Sequence, residues 1–367
     1  MGIVFGLFVC CWLYQIIYQA FLMLVIIRHK EPSKKISTSK SVSIVICAKN
    51  EAENLRKNIP LILEQDYPDF ELIIVNDSSE DTTKEVILEI LRSDNRVSSL
   101  NITKEEKKGL GKKYALQKGV EHAKNELILL TDADCRPLTR NWIREMTAPV
   151  FSKKKIVLGV SPYEQRNTLL NGLIEFETCQ TALQYNGYAL LGMPYMGVGR
   201  NVCYDRTLLS SKNWNQTELS IASGDDDLTI QSLATKENTT ICIARDGYTS
   251  SIAAESWKEW TRQKIRHYAS GKLYKWKHRL CLGSYILTKT SLYCLLMILV
   301  ISGYNVRETA YFYTGYVMSA VFLNLSLQIY LHLNSRWYLA PVFDFIYSIT
   351  TPLFGYISQT KPREHWK

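Results

Sequence analysis

The sequence predicts an α/β fold, a mostly parallel sheet with helices on both faces, joined to apolar helices at either end of the chain. Three observations carry that expectation. Strand-like and helix-like segments alternate at close spacing from residue 42 to residue 131, the pattern of a parallel sheet with crossover helices. Residues 3–27 carry no charge and are enough to span a bilayer. Beyond about residue 279 the chain turns apolar again.

In chain order, the apolar segment 3–27 is followed by Arg28, His29 and Lys30, then by Lys34, Lys35 and Lys40. A cleavable signal peptide has its charges first, so residues 1–30 are expected to form an uncleaved anchor whose C-terminal end is cytoplasmic. Val42–Ala48 is apolar on both faces, as in a buried parallel strand. Residues 51–65 read as a helix bent or ended near Pro60. A second strand follows over 71–75. The helix over 81–94 places Val86, Ile87, Ile90 and Leu91 on one face. A third strand covers Val97–Ile102, and a glycine-containing turn leads into a helix over 112–124. The apolar run 126–131 is the next strand. After it come a helix over 141–151, a strand over 156–160, and a long helix over 168–191 carrying Glu175, Glu177 and Gln180. Residues 195–201 form a glycine-rich turn before a strand at 202–204. Residues 223–228 read as an acidic helix start, and 260–268 as a basic helix.

These segments group into an anchor over 1–30, a catalytic α/β domain over 41–255, a basic and aromatic interfacial helix segment over 256–280, and C-terminal transmembrane helices over 281–358. The tail offers spans at 285–302, 309–333 and 337–358. Pro341, Asp344 and Pro352 make the last a poor simple span, so two or three C-terminal spans are expected. With two, the tail residues Lys361, Arg363 and Lys367 stay inside. With three, they lie outside, against the charge rule.

The net charge is +9. Its basic residues cluster beside apolar spans, as in Lys258, Arg262, Lys264, Arg266, Lys272, Lys275, Lys277 and Arg279. Trp257, Trp260, Tyr268, Tyr274 and Trp276 are interleaved. That composition suits a face toward anionic lipid, and no nucleic-acid partner is expected. The nine cysteines are scattered and lack C-x-x-C spacing, so neither zinc site nor disulfide framework is indicated. Reduced cytoplasmic thiols fit best.

Four features bear chemistry. Asp132 and Asp134 close the strand over 126–131. Residues i and i+2 of a strand share a face, so the two carboxylates converge where parallel sheets bind ligands. Hard oxygens there suit Mg²⁺ or Mn²⁺. Glu51 and Asp77 follow the first two strands at the same sheet edge. Asp77 either accepts from a nucleoside or caps the next helix. Gly109-Leu-Gly-Lys-Lys113 opens a helix and turns Lys112 and the helix N-terminus toward phosphate, without the spacing of a Walker motif. Asp225, Asp226 and Asp227 stand in a row, which favours a helix N-terminus or a general base whose pKa is raised.

Together these residues resemble a membrane-integrated family 2 glycosyltransferase with the GT-A fold. The matches run in family order: Ala-Lys-Asn-Glu at 48–51, Val-Asn-Asp at 75–77, Gly-Lys-x-x-Ala-Leu at 111–116 and Asp-Ala-Asp at 132–134. Gly-Val-Gly-Arg-Asn at 197–201, Gly-Asp-Asp at 224–226 and Gln-x-x-Arg at 263–266 follow. The resemblance implies inverting transfer from a nucleotide sugar, with UDP favoured, to a lipid or lipid-linked or glycan acceptor. The expected setting is the cytoplasmic face of a membrane, such as a bacterial inner membrane. It implies donor contacts by Glu51, Asp77, Lys112, Asp132, Gln263 and Arg266, and a Mg²⁺ or Mn²⁺ ion on Asp132 and Asp134. Asp225 or Asp226 would be the base. The family's Thr-Glu-Asp is altered here, so both stay open. His267 replaces the tryptophan of Gln-x-x-Arg-Trp, which leaves single and processive transfer both open. The other classes weighed are an inactive transferase-like scaffold and a sugar nucleotidylyltransferase. The latter usually carries a glycine-rich basic loop where this chain has Lys49-Asn50-Glu51.

Overall fold

The computed structural model describes residues 1–30, 40–107, 109, 111–152, 154–213 and 215–360. Lys34, Lys35, Lys361, Arg363 and Lys367, named above for topology, lie outside them. The elements in chain order are α1 (Gly2–Ile27), β1 (Val42–Ala48), α2 (Ala52–Leu63), β2 (Phe70–Asp77), α3 (Thr83–Ser93), β3 (Val97–Ile102), α4 (Lys113–His122) and β4 (Leu127–Asp132). Then come β5 (Cys135–Pro137), α5 (Trp142–Thr147), β6 (Ile156–Leu158), α6 (Leu169–Leu190), β7 (Val202–Asp205), α7 (Arg206–Ser210), α8 (Gln216–Leu219), α9 (Asp227–Leu233), β8 (Thr239–Ile241) and β9 (Thr249–Ser251). The chain ends in α10 (Trp257–Tyr268), α11 (Trp276–Ser302), α12 (Val306–Tyr330) and α13 (Ala340–Thr360). They fall into two compact units, one of Lys30–Glu164 and Tyr188–Ala253, the other of Met1–His29, Gln165–Gly187 and residues 254–360.

The first unit holds a seven-stranded sheet in the order β3-β2-β1-β4-β7-β6-β8. The pairs β1–β2, β1–β4, β2–β3 and β6–β8 are parallel, while β7 runs antiparallel to β4 and β6. β5 and β9 form a separate antiparallel pair. Every residue of β1 is buried, as a strand covered on both faces requires. Leu55, Ile59 and Ile62 of α2 and Trp142 of α5 pack with Ile44, Ile46, Leu72 and Ile74 in one core. Full burial of each such side chain is worth roughly 1.5–3 kcal/mol. The chain turns from β1 to β2 on one side and reaches β4 on the other, so a crevice opens between the ends of β1 and β4. Register sets Cys47 opposite Asp132 there.

Two expected helices differ in detail. α2 runs through Pro60 and stops at Leu63. The helix expected over 141–151 is a short α5 followed by a 3₁₀ turn over Ala148–Ser152. Pro149 has no N–H to continue the α ladder.

The second unit is helical. Phe8 of α1 packs with Leu292, Tyr293 and Leu299 of α11 and with Tyr316 of α12. Gln15 donates to the carbonyl of Tyr285 and to the Thr288 hydroxyl, each at 2.8 Å. Lys289 of α11 pairs with Asp344 of α13. The other oxygen of Asp344 accepts from Tyr293 at 2.8 Å and Tyr316 at 2.6 Å. Among the described residues, α1 and α11 are the helices long and apolar enough to cross a membrane. Outward apolar residues such as Ile17, Leu287 and Ile301 are well exposed. Within the basic segment 256–280, α10 covers Trp257–Tyr268, a 3₁₀ turn covers Ala269–Leu273, and α11 begins at Trp276.

Candidate active site

The site in the sheet unit is built from strand ends and two loops. β4 ends at Asp132, and Asp134 follows one residue into the turn. That turn is fixed from below, since Asn58 of α2 donates to the Ala133 carbonyl at 2.9 Å. Among the described residues, one ligand atom each from Asp132, Asp134 and Cys135 lies within 4.8 Å of the others. The Cys135 thiol is fully buried and donates to Asp134 at 3.4 Å. Burial, with Asp134 next, pushes it well above the usual thiol range, so it stays protonated. The remaining donors are two carboxylates. That set fits Mg²⁺ or Mn²⁺, which take oxygen ligands and complete their shell from diphosphate and water.

Lys112 immediately precedes α4, at its N-cap position, and its side chain bridges carboxylates from two segments. Its Nζ lies 2.7 Å from Asp132 and 3.0 Å from Asp225. Burial alone would lower its pKa, but Asp132 and then Asp225 outweigh it and hold Lys112 well above the ordinary value. Burial would likewise raise Asp225, yet Lys112 and Lys113 overcome it and hold that carboxyl low. Asp226 differs. Its two oxygens accept from the backbone N–H of Gly199 and of Asp227, each at 2.9 Å. Burial first, then Asp227, push it well above the usual range. Lys112, Asp132, Asp225, Asp226 and Gly199 line one cavity with Cys47 and Thr131.

At the β2 end, Asp77 is fully buried. It does not cap α3, whose first residue, Thr83, donates its N–H to Asp81 at 3.0 Å. Lys107 pairs with Asp77 Oδ2 at 2.6 Å, while Oδ1 is buried without a hydrogen-bond partner among the described residues. Glu51 is the N-cap residue of α2, buried, and accepts from Asn54 at 2.6 Å. The loops after β1 and β2 interlock. The Asn50 N–H donates to Ser79 Oγ at 3.0 Å, and Asn50 Oδ1 accepts from the Glu80 N–H at 2.8 Å. Asn50 and Ser78 take φ of +57° and +58°, left-handed conformations that cost free energy and cluster at functional sites.

The structure thus brings Glu51 and Asp77 to one part of the sheet edge and Lys112, Asp132, Asp134, Asp225 and Asp226 to another. Gln263 and Arg266 lie half-buried on α10 of the helical unit. In that unit Trp260 and Lys264 of α10 bind Glu177, at 3.1 and 2.7 Å. Sequence reasoning passed over Lys107, Asn58 and Lys113. A lysine two residues before the glycine turn gave a weak signal for the first; the other two had none.

Comparison with known proteins places these residues in a family. A family model for glycosyl transferase family 2 matches residues 43–207. One for glycosyl transferase family group 2 matches residues 127–344, more than half of the chain. The chain is 27% identical over 252 residues to a probable glycosyltransferase, YdaM, of Bacillus subtilis, covering 64% of this chain and 55% of that protein. It is 32% identical over 94 residues to the poly-beta-1,6-N-acetyl-D-glucosamine synthase of Staphylococcus epidermidis, covering 25% of this chain and 21% of the synthase. The matched regions therefore span about half or less of these relatives. Among solved structures, a mannosyltransferase from Pyrobaculum calidifontis, in complex with GDP-Man and Mn²⁺, has a TM-score of 0.65 at 15% identity. The likeness covers 97% of this chain and 98% of that one. It shows a shared GT-A fold, in accord with the strand order and with the convergence of Asp132 and Asp134 at the sheet edge. From the family matches, the chain belongs to the family 2 glycosyltransferases.

Proposed function

We propose that the protein is an inverting glycosyltransferase that moves a sugar from a nucleotide sugar, a UDP-sugar first, to a lipid, lipid-linked or glycan acceptor. The observation that carries this reading is the set Lys112, Asp132 and Asp225, three charged groups within 3.0 Å contacts at the crevice between β1 and β4. In the reaction, the acceptor hydroxyl oxygen bonds to the anomeric carbon as the bond from that carbon to the diphosphate breaks. The nucleoside diphosphate leaves with the electron pair, and the hydroxyl proton passes to Asp225. Asp225 is preferred to Asp226, whose oxygens are both occupied by backbone N–H groups. Lys112, already beside Asp132, is placed to neutralise diphosphate charge. The free Oδ1 of Asp77 accepts from the base or ribose. Asp132 and Asp134 would hold Mg²⁺ or Mn²⁺, which supplies positive charge to the leaving group. Gln263 and Arg266 are assigned to the donor as well. The mannosyltransferase of like fold was solved with GDP-Man and Mn²⁺, which supports a metal and a nucleotide sugar.

The helical unit is assigned to a membrane. Its anchor over 1–30 and its helices over 281–358 hold the catalytic region 41–255 at the cytoplasmic face, with 256–280 at the lipid surface. Exposed apolar side chains on α1 and α11 support this. The test is a panel of nucleotide sugars added with Mn²⁺ to membranes containing the protein, reading nucleotide release. Release from one sugar nucleotide, with label moving to a lipid or glycan fraction, is expected. No release from any of them overturns the reading.

A further inference from the structure

Adjacent lysines at the start of α4 face different ways. Lys112 meets carboxylates, as above. Lys113 turns inward and is 1% exposed. Its Nζ donates to the carbonyl of Ile221 at 2.6 Å and to that of Ser223 at 2.5 Å. Gly224 follows Ser223 with φ of +82°, and Asp225 comes next.

The same segment is held at two more points. A Cβ on Gly111 would stand 2.4 Å from the Ala222 carbonyl oxygen, and one on Gly109 would stand 2.8 Å from that of Leu219. Both glycines have positive φ, +74° and +82°, which L side chains rarely adopt. The backbone at Leu219 and Ala222 therefore rests directly against Gly109 and Gly111. Burying an ammonium group carries a desolvation cost that a methionine of similar length avoids. Hydrogen bonds to two carbonyls are what the charge gains in return, and they fall on the chain that leads into Asp225.

We propose that Lys113 is a positioning residue: by gripping the carbonyls of Ile221 and Ser223 it fixes the Asp225 carboxylate against Lys112. It touches neither donor nor acceptor. The inference rests on Asp225 being the base. Its positive charge also adds to that of Lys112 in holding Asp225 ionised.

The experiment compares wild type with Lys113→Met, using the nucleotide sugar that wild type turns over best, and calorimetric binding of UDP and GDP with Mn²⁺. A misplacement of about 1 Å typically costs on the order of 10²-fold in rate. Lys113→Met should therefore lose about 10- to 100-fold in kcat while its nucleoside diphosphate affinity stays within about threefold, less than 1 kcal/mol. A kcat equal to wild type, or an affinity that falls in step with kcat, overturns the proposal. Should Lys113→Met fail to fold, Lys113→Gln, which removes the charge and shortens the reach to both carbonyls but keeps a polar end, is judged by the same two readings. Asp225→Asn separates the two possible failures. Full activity in Asp225→Asn removes the base assignment and the proposal with it. Loss of activity there, beside a normal Lys113→Met, removes the proposal alone.

Discussion

Lys112 Nζ stands 3.0 Å from a carboxylate oxygen of Asp225, so the loop after β3 supplies the countercharge for the loop before α9. The pairing keeps Asp225 ionised, the form a base requires, although its carboxyl is held low and not raised as the run of three carboxylates suggested. General-base help is typically worth about 10² to 10⁴ in rate. Asp225→Asn should cut kcat by that order while UDP or GDP binding with Mn²⁺ is retained. Asp226→Asn should act differently, because Asp226 accepts from the N–H groups of Gly199 and Asp227. Its loss should show first in thermal stability. Normal transfer rates in both variants would discard the assignment.

The metal site is tested by Asp134→Asn, which keeps shape and removes a carboxylate charge. Transfer should fall by orders of magnitude with the fold intact, and EDTA on the wild type should do the same. Readding Mn²⁺ or Mg²⁺ restores only the wild type. Full activity in EDTA is the result that excludes a metal on Asp132 and Asp134.

Lys107 and Asp77 give a stability prediction. Asp77 is fully buried, and its Lys107 partner is 17% exposed by side chain. Removing one member of a buried pair strands the other, at a cost of ~3–5 kcal/mol, and the partial exposure of Lys107 points to the lower end. Lys107→Met should lower the melting temperature by several degrees. Lys104→Met, which breaks the exposed Lys104–Glu80 pair, should leave it unchanged. Equal effects would show that burial of Asp77 is not what makes the pair matter.

Much of the sheet was legible because its first half is local. β1 and β3 lie where the strand segments were read at 42–48 and 97–102, and β4 ends on the Asp132 that its run announced. β7 lies at the strand read over 202–204, but its antiparallel place between β4 and β6 was not legible. It pairs across long loops, and a four-residue strand leaves no period to count. The same holds for the site. Carboxylates at strand ends announce themselves through an apolar run followed by acid. Lys113 does not, since its partners are carbonyls more than a hundred residues away, and backbone carbonyls carry no sequence signature.

Glu175 of α6 predicts a pH dependence of stability. It is 4% exposed, and neither carboxylate oxygen has a hydrogen-bond partner among the described residues. Burial raises its pKa to about 7, against a smaller opposing pull from Arg336. The folded state then holds a proton that the unfolded chain releases near the ordinary carboxylate pKa. Stability from this group is full below that ordinary value and is lost as pH rises through about 7. Glu175→Gln should flatten this slope and melt higher than wild type at pH 8 in detergent. An identical slope in both proteins would show that Glu175 does not titrate in this range.

Topology is tested by Glu105→Cys in a background lacking the exposed Cys10 and Cys294. A membrane-impermeant maleimide should not label position 105 in intact cells and should label it after permeabilisation. External labelling would overturn the cytoplasmic site and its donor supply.

The cluster of Lys289, Tyr293, Tyr316 and Asp344 has a consequence for biogenesis. On the proposed embedding, α13 entering lipid by itself would carry a bare carboxylate, and α11 a bare ammonium, each an obstacle to stable insertion. Both charges are matched when α11 and α13 pair, and Tyr293 of α11 and Tyr316 of α12 add hydroxyl donors to Asp344. In a chain that stops after α12, Lys289 has no Asp344 to meet, so on this embedding the last helix supplies the countercharge that an earlier one requires to rest in lipid.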